Sequence, residues 1–353
     1  MSTFKIIQAG CGGMAHTWMD YALAREDAQL VALVDLYEDA ALRMNEKYGL
    51  SLPWYNNVEE AIRQTGANLV FDCSIPASHK EIAAAALKGG CHILSEKPMA
   101  STMEEANELA KLAASKPGQQ YAIMQNRRYL KDIRALRELI GSGTIGKPSF
   151  VTADFFIGAH FGGFREVMDS PLILDMAIHT FDQARFIIGA NPVSVYCHEF
   201  NPEGSWYQGN AAAACIFEFD NGAVFTYNGS WCSEGAPTSW EAAWRIAGSK
   251  GTAIWNNSAP YAEIVAADQE HKFRSDYQRI EAPHNWNGRE GHLGCLDEMF
   301  QAMLDVRPAE THYSDNLFST AMVFGAIESA KRQRKVELQL TKAAGRHSIS
   351  FQC

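Results

Sequence analysis

The sequence predicts an α/β protein, with an N-terminal doubly wound parallel sheet followed by an α+β part built on a mostly antiparallel open sheet. Two patterns and one length argue for it. Short apolar runs alternate with helical stretches over residues 1–125, as strands do when they cross over through helices. After Gly141-Ser142-Gly143 strand-like runs dominate instead. At 353 residues the chain is long enough to bury two cores.

Taken in order, the apolar runs place strands near 4–9, 30–35, 69–73, 91–95 and 120–124, and the 3.6-residue pattern places helices near 13–25, 38–48, 57–65, 77–88 and 102–115. A linker helix follows at 131–140, and the linker ends near 145. Strands are then expected at Ser149–Phe156, Val193–Phe200, Ala212–Phe219, Ala223–Trp231, Ala242–Ala247 and Ala253–Trp255. One long helix, Leu172–Ile188, interrupts them, and two more follow near 292–305 and 314–333. The expected domains are 1–125, for a dinucleotide, and 146–353, for substrate and oligomer contacts, with the last helix packing back on the first domain.

Composition narrows the partners. Hydrophobic residues make up 47% and charged ones 20%, ordinary proportions for a globular protein. The net charge of −10 argues against nucleic acid, and Lys331-Arg332-Gln333-Arg334-Lys335 reads as a solvated helix end. A strand begins within four residues of the N-terminus, leaving no room for a secretory leader, and no apolar run reaches membrane-spanning length. The eight cysteines are scattered without a CxxC pair and read as reduced, buried small hydrophobes. A cytoplasmic protein with no membrane contact is the expectation.

The chemistry starts at Gly10-Cys11-Gly12-Gly13-Met14-Ala15, a Gly-x-Gly-x-x-Ala turn entered from an apolar strand. Gly10 permits the tight turn, Gly12 lets the backbone approach a pyrophosphate, and Ala15 lets helix and strand pack closely. The phosphates would lie at a helix N-terminus, where free N–H groups favour anions. Asp35 ends the second strand, 23 positions after Gly12 and near the ~20-residue spacing at which an acid receives ribose hydroxyls. That carboxylate repels a 2′-phosphate, and no Arg or Lys follows it before Arg43, so NAD is favoured over NADP.

Ligands of such sheets lie beyond the carboxyl ends of the strands. That rule selects Ser74-Ile75-Pro76-Ala77-Ser78-His79, Glu96-Lys97-Pro98 and Gln125-Asn126-Arg127-Arg128. The cofactor set is therefore Gly10, Cys11, Gly12, Gly13, Met14, Asp35, Ser74, Pro76, His79, Glu96, Lys97 and Gln125. On the long helix, Asp175, His179 and Asp182 share a face. With no second histidine at ligand spacing, no metal is expected.

With these motifs in this order, the whole chain resembles the Gfo/Idh/MocA family of NAD(P)-dependent oxidoreductases, which act mainly on sugars, inositols and related polyols. The resemblance implies that Lys97 contacts the nicotinamide ribose and the reacting oxygen, that His179 exchanges the hydroxyl proton, and that Asp175 binds a neighbouring hydroxyl. It also implies a cis Lys97-Pro98 bond. Histidine titrates near operating pH, and a lysine ammonium stabilises a developing alkoxide, so the residue types suit the reaction. Ser170-Pro171-Leu172 and Ala177 depart from the glycine-rich form common in the family, which bears on substrate rather than on chemistry.

Glycine-rich aromatic segments at 158–165, 202–209 and 284–292 suit the alternating C–H and hydroxyl faces of sugars. The expected substrate contacts are Arg128, His160, Arg165, Asp182 and Trp286. The predicted function is NAD-dependent interconversion of a secondary hydroxyl and a ketone on a sugar, sugar derivative or cyclitol. An NAD-retaining glycosidase that oxidises transiently and a non-catalytic dinucleotide sensor are the alternatives. An apolar sheet face predicts a homodimer or homotetramer.

Overall fold

A computed structural model describes residues 4–266, 273–343 and 346–352. The first stretch runs β1 (Phe4–Ala9), α1 (Ala15–Leu23), β2 (Ala28–Val34), α2 (Glu38–Tyr48), β3 (Trp54–Tyr55), α3 (Val58–Thr65), β4 (Leu69–Asp72), α4 (Pro76–Lys88), β5 (His92–Ser95), α5 (Met103–Ala114) and β6 (Tyr121–Ile123). All six strands pair in parallel in the order β3-β2-β1-β4-β5-β6. The order reverses between β1 and β4, so the carboxyl ends of those two strands flank a crevice. Only β3 was missed in the sequence. Two residues show no period, and Trp54-Tyr55 becomes a strand because Leu33 and Val34 of β2 supply a template.

Local chemistry sets these helix ends. Asn57 accepts from the Glu60 N–H and Thr102 from the Glu105 N–H, capping α3 and α5, while Gly49 and Gly66 end α2 and α3 in the left-handed conformation. Met14 offers α1 no side-chain cap.

The chain continues with a 3-10 turn (Asn126–Tyr129), α6 (Lys131–Gly141), β7 (Pro148–Phe156), a 3-10 turn (Gly163–Val167), a π-helical turn (Leu172–Ala177) and α7 (Ile178–Ile188). Then come β8 (Pro192–Phe200), β9 (Ala212–Phe219), β10 (Val224–Ser230), β11 (Ala243–Gly248), β12 (Gly251–Trp255), β13 (Tyr261–Val265) and β14 (Tyr277–Glu281). Helices α8 (Gly291–Leu304) and α9 (Tyr313–Arg332) precede β15 (Val336–Ala343) and β16 (Arg346–Gln352). A ten-stranded sheet orders β14-β13-β12-β11-β7-β10-β9-β8-β15-β16. It is mostly antiparallel, with β7 and β10 pairing in parallel.

The chain falls into two compact units: Met1–Asn126 with His292–Thr320 and Leu340–Ile349, and Arg127–Gly291 with Ala321–Gln339 and Ser350–Cys353. In the first, Phe300 of α8 packs edge-on against Phe4 and Phe71, and Tyr313 of α9 stacks on Tyr121. In the second, Phe181 of α7 packs edge-on against Phe217 and Tyr227. That buried face continues through Phe225 and Trp244, while Phe150, Tyr196 and Ile216 are exposed.

Four strands at the sheet's ends, β13 to β16, were not read from the sequence. The cause is visible in β14, whose Tyr277, Gln278 and Arg279 are all exposed and carry no apolar alternation. The basic cluster does close a helix: Gln333 takes φ +54° and Arg332 pairs with Glu328 one turn back. Cys353 lies outside the described residues, and the other seven cysteines are free thiols.

Candidate active site

In the first unit the Gly-rich turn joins β1 to α1 at the reversal of strand order. Gly10 has φ +79°, and a Cβ there would stand 2.6 Å from the Cys73 carbonyl and the Ser74 nitrogen. Glycine is required by the close approach of the two strand ends. A Cβ on Gly12 would meet nothing within 4 Å, because Gly12 opens onto a cavity of about 780 Å³. Gly10, Cys11, Asp35, Tyr37 and Ser74 line the same space.

Asp35 stands on the cavity wall with its carboxylate anchored twice. Oδ2 accepts from the Cys11 N–H at 2.8 Å and Oδ1 from the Tyr37 N–H at 3.0 Å. Each oxygen keeps a second lone pair for hydroxyls. Burial and then the Asp35 charge push the Cys11 thiol up to about 12, so it stays neutral beside the acid. An open glycine at a helix N-terminus, with an anchored acid on the same cavity, fits a dinucleotide: Gly12 for the pyrophosphate and Asp35 for the ribose.

The remaining cofactor candidates sort differently. Gly13 and Met14 complete the turn, and Pro76 begins α4. His79 is fully buried and bridges the Pro98 carbonyl (Nδ1, 2.7 Å) to that of Ser74 (Nε2, 3.1 Å), tying two loops together. Its two nitrogens, expected to serve the cofactor, are thus bonded to backbone carbonyls. Gln125 is likewise buried and does not line the cavity.

Glu96 is buried and accepts from Trp18 Nε1 at 3.0 Å and from the Lys97 N–H at 3.3 Å, with His292 Nε2 at 3.9 Å. It thus braces the segment that presents Lys97 instead of facing the cavity. The Lys97–Pro98 peptide is cis. Sequence reading missed Asp72, whose buried carboxylate accepts from the Ser74 hydroxyl at 2.6 Å and the Ser95 hydroxyl at 3.1 Å. Nothing in its context separates it from an ordinary strand end.

In the second unit, α7 is buried along nearly its whole length although it carries Thr180, Asp182, Gln183 and Arg185. It tolerates Asp182, Gln183 and Arg185 because they are paired. Asp182 receives a two-pronged grip from Arg128, Nε to Oδ2 at 2.6 Å and Nη2 to Oδ1 at 2.7 Å, with 4% and 2% of the two side chains exposed. Gln183 reaches Glu241 at 2.9 Å, and Glu241 pairs with Arg127 at 3.2 Å. Arg128 and Asp182, expected to touch substrate, are thus joined in a buried pair that holds α7 in place.

The helix expected at 172–188 is not one α-helix. Its first six residues form a π-turn, which widens the backbone where Asp175 sits, and His179 follows in the first turn of α7. Asp175 Oδ2 accepts from Arg165 Nε at 2.6 Å. His160 is exposed, stacks on Trp206 with ring centres 3.7 Å apart, and contacts Glu234 at 2.8 Å. Trp286 lies against the Arg134 guanidinium at 5.6 Å, in a cluster with Tyr129 and Phe186.

Comparison with known proteins agrees with this geometry. Residues 4–123 match the oxidoreductase family with an NAD-binding Rossmann fold, and residues 133–254 match the GFO/IDH/MocA C-terminal domain. An uncharacterized protein of Sinorhizobium fredii, y4oX, is 30% identical over 96% of this chain and 96% of its own length. The chain belongs to the GFO/IDH/MocA family. Another relative, the myo-inositol 2-dehydrogenase of Thermotoga maritima, is 24% identical over 89% of this chain and 92% of that protein. The crystal structure of an oxidoreductase from Agrobacterium radiobacter in complex with NAD+, L-tartaric acid and magnesium shares the fold. It superposes with a TM-score of 0.82 at 20% identity, covering 95% of this chain and 98% of that one. As a GFO/IDH/MocA protein, the chain is an NAD-binding oxidoreductase. Among the described residues no helix is long and apolar enough to cross a membrane.

Proposed function

We propose that the protein interconverts a secondary hydroxyl and a ketone on a sugar, sugar derivative or cyclitol. The observation that carries this reading is Lys97 at the carboxyl end of a strand of the NAD-binding sheet, in a chain that also keeps Asp175 in the π-turn and His179 at the start of the buried helix after it. NAD supplies a hydride acceptor when bound. Gly10, Gly12 and Asp35 would hold its pyrophosphate and ribose, with the nicotinamide directed toward Lys97.

In the oxidising direction His179 takes the hydroxyl proton while the carbinol carbon gives up its hydride. The Lys97 ammonium stabilises the alkoxide that develops between these events. Asp175 accepts a hydrogen bond from a neighbouring hydroxyl and fixes which carbon reacts. In the reverse direction His179 returns the proton.

The test offers NAD+ with myo-inositol, D-glucose, methyl β-D-glucoside and D-gluconate, and follows NADH absorbance. The expected result is NADH formation with at least one of them, abolished in Lys97→Ala without loss of NAD binding. Substantial turnover in Lys97→Ala would overturn the assignment. A second copy of the chain against Phe150, Tyr196 and Ile216 completes the reading, since three large apolar side chains on one sheet face favour coverage.

A further inference from the structure

The segment between β7 and the π-turn holds a residue whose contacts point at the catalytic helix. Arg165 lies in the 3-10 turn Gly163–Val167 and donates from Nε to Asp175 Oδ2 at 2.6 Å. Its guanidinium carbon stands 5.2 Å from the Phe161 ring centre and 4.7 Å from that of Phe164. Phe161 in turn meets Trp231 edge-on at 5.7 Å. The guanidinium thus lies against two aromatic rings, and the pair is half-buried, with 32% of the Arg165 side chain and 15% of the Asp175 side chain exposed.

Arg165 is also delivered on a fixed scaffold. The Gln208 N–H donates to the Glu166 carbonyl and the Asn210 N–H to the Asp169 carbonyl, both at 2.8 Å. A Cβ on Gly209 would stand 2.2 Å from the Met168 and Asp169 carbonyl oxygens, so only glycine lets the two segments approach. At the other end, Tyr207 Oη and Trp206 Nε1 donate to the Ala159 carbonyl. The segment is pinned on both sides of Arg165.

We propose that Arg165 is the positioning residue for Asp175, holding that carboxylate ionised and aimed so that it accepts, and does not donate, the hydrogen bond from the substrate's neighbouring hydroxyl. This rests on the reading of Asp175 as a substrate-binding group. Other charges surround the pair. Asp175 acts electrostatically on Arg127 and on Tyr207, Tyr207 also feels Glu166, Arg127 is paired with Glu241, and His179 lies on the same helix. Arg127 is paired with Glu241, and Arg165 bonds Asp175 directly at 2.6 Å. An exposed ion pair is worth little, but a short charge-assisted bond to a carboxylate that is mostly buried makes this one strong enough to bias protonation.

The experiment compares wild type with Arg165→Met, Arg165→Lys and, for assignment, Asp175→Asn. Carbon-13 NMR of labelled aspartate carboxyls follows the Asp175 titration in protein without substrate. In Arg165→Met its midpoint is expected to rise by about one pH unit, and in Arg165→Lys to return most of the way. The acid limb of kcat/KM, measured with NAD+ and whichever of myo-inositol or D-glucose is oxidised faster, should move by the same amount, with kcat reduced more than KM is raised. An Asp175 midpoint equal in all three proteins overturns the proposal, whatever happens to activity. A raised midpoint with an unmoved acid limb also overturns it, because Arg165 would then hold Asp175 without serving the reaction. Full turnover in Asp175→Asn would instead remove the role given to Asp175, leaving the NMR result to report on the pair alone.

Discussion

Two glycines of one turn carry different duties, and substitution separates them. Gly10→Ala places a methyl against the backbone of Cys73 and Ser74 at a left-handed φ, which costs about 2–4 kcal/mol of stability in denaturant unfolding. Gly12→Ala meets open space, so unfolding should be nearly unchanged while NAD affinity falls. Equal stability losses in the two variants would contradict this division. Both glycines belong to one motif in the sequence; only the packed strand ends distinguish the fold-forming from the ligand-facing one.

Glu199 is a residue no motif announces. Burial first, against weaker opposing hydrogen bonds from Ser170 and Asn210, raises its carboxyl from 4.5 to about 7. A raised acid binds its proton more tightly when folded, so its contribution is complete below pH 4.5 and is lost as pH rises through 7. Glu199→Gln should therefore flatten the stability profile across that window and gain on the order of 2 kcal/mol over wild type above it. Parallel pH profiles for the two proteins in thermal unfolding would refute the assignment.

At the scale of the element, α7 is where sequence and structure diverge most instructively. Spacing placed Asp175, His179 and Asp182 on one face of a regular helix, whereas the π-turn puts Asp175 in a wider backbone ahead of Ile178. Asp182 is fixed by Arg128 from a turn more than fifty residues earlier in the chain. Breaking such a buried pair leaves a charge stranded, so Asp182→Ala should cost about 3–5 kcal/mol of stability. A variant with unchanged unfolding but raised KM would return Asp182 to the substrate. The same logic explains His79 and Glu96: each follows a strand end, as ligand-binding residues do, yet their partners are loop carbonyls and an indole.

For the molecule as a whole, the open sheet face makes a prediction about assembly. In sedimentation the wild type should run as a dimer or larger species, and Ile216→Asp, at an exposed apolar position on that face, should shift it toward monomer. A monomeric wild type would remove the proposed second copy. The net charge of −10 adds a salt dependence to any such association, since like-charged copies approach more easily when screened.

What the sequence determined by itself was whatever is local or periodic. Five of the six parallel strands and the helices between them are legible because hydrophobic period and glycine chemistry act within a few residues, and the Gly-x-Gly-x-x-Ala turn with Asp35 is legible because its spacing is fixed by one βαβ unit. The tertiary structure alone decided the ends of the second sheet and the partners of the polar residues. Strand β3 exists because β2 templates it, and β14 is paired although its side chains face water. Arg128 is paired with Asp182 inside the second unit, and Arg165 is brought to Asp175 by a segment that Gly209 lets close. Pairings between distant segments leave no periodic trace in a chain, because they depend on which groups the fold brings within hydrogen-bonding distance.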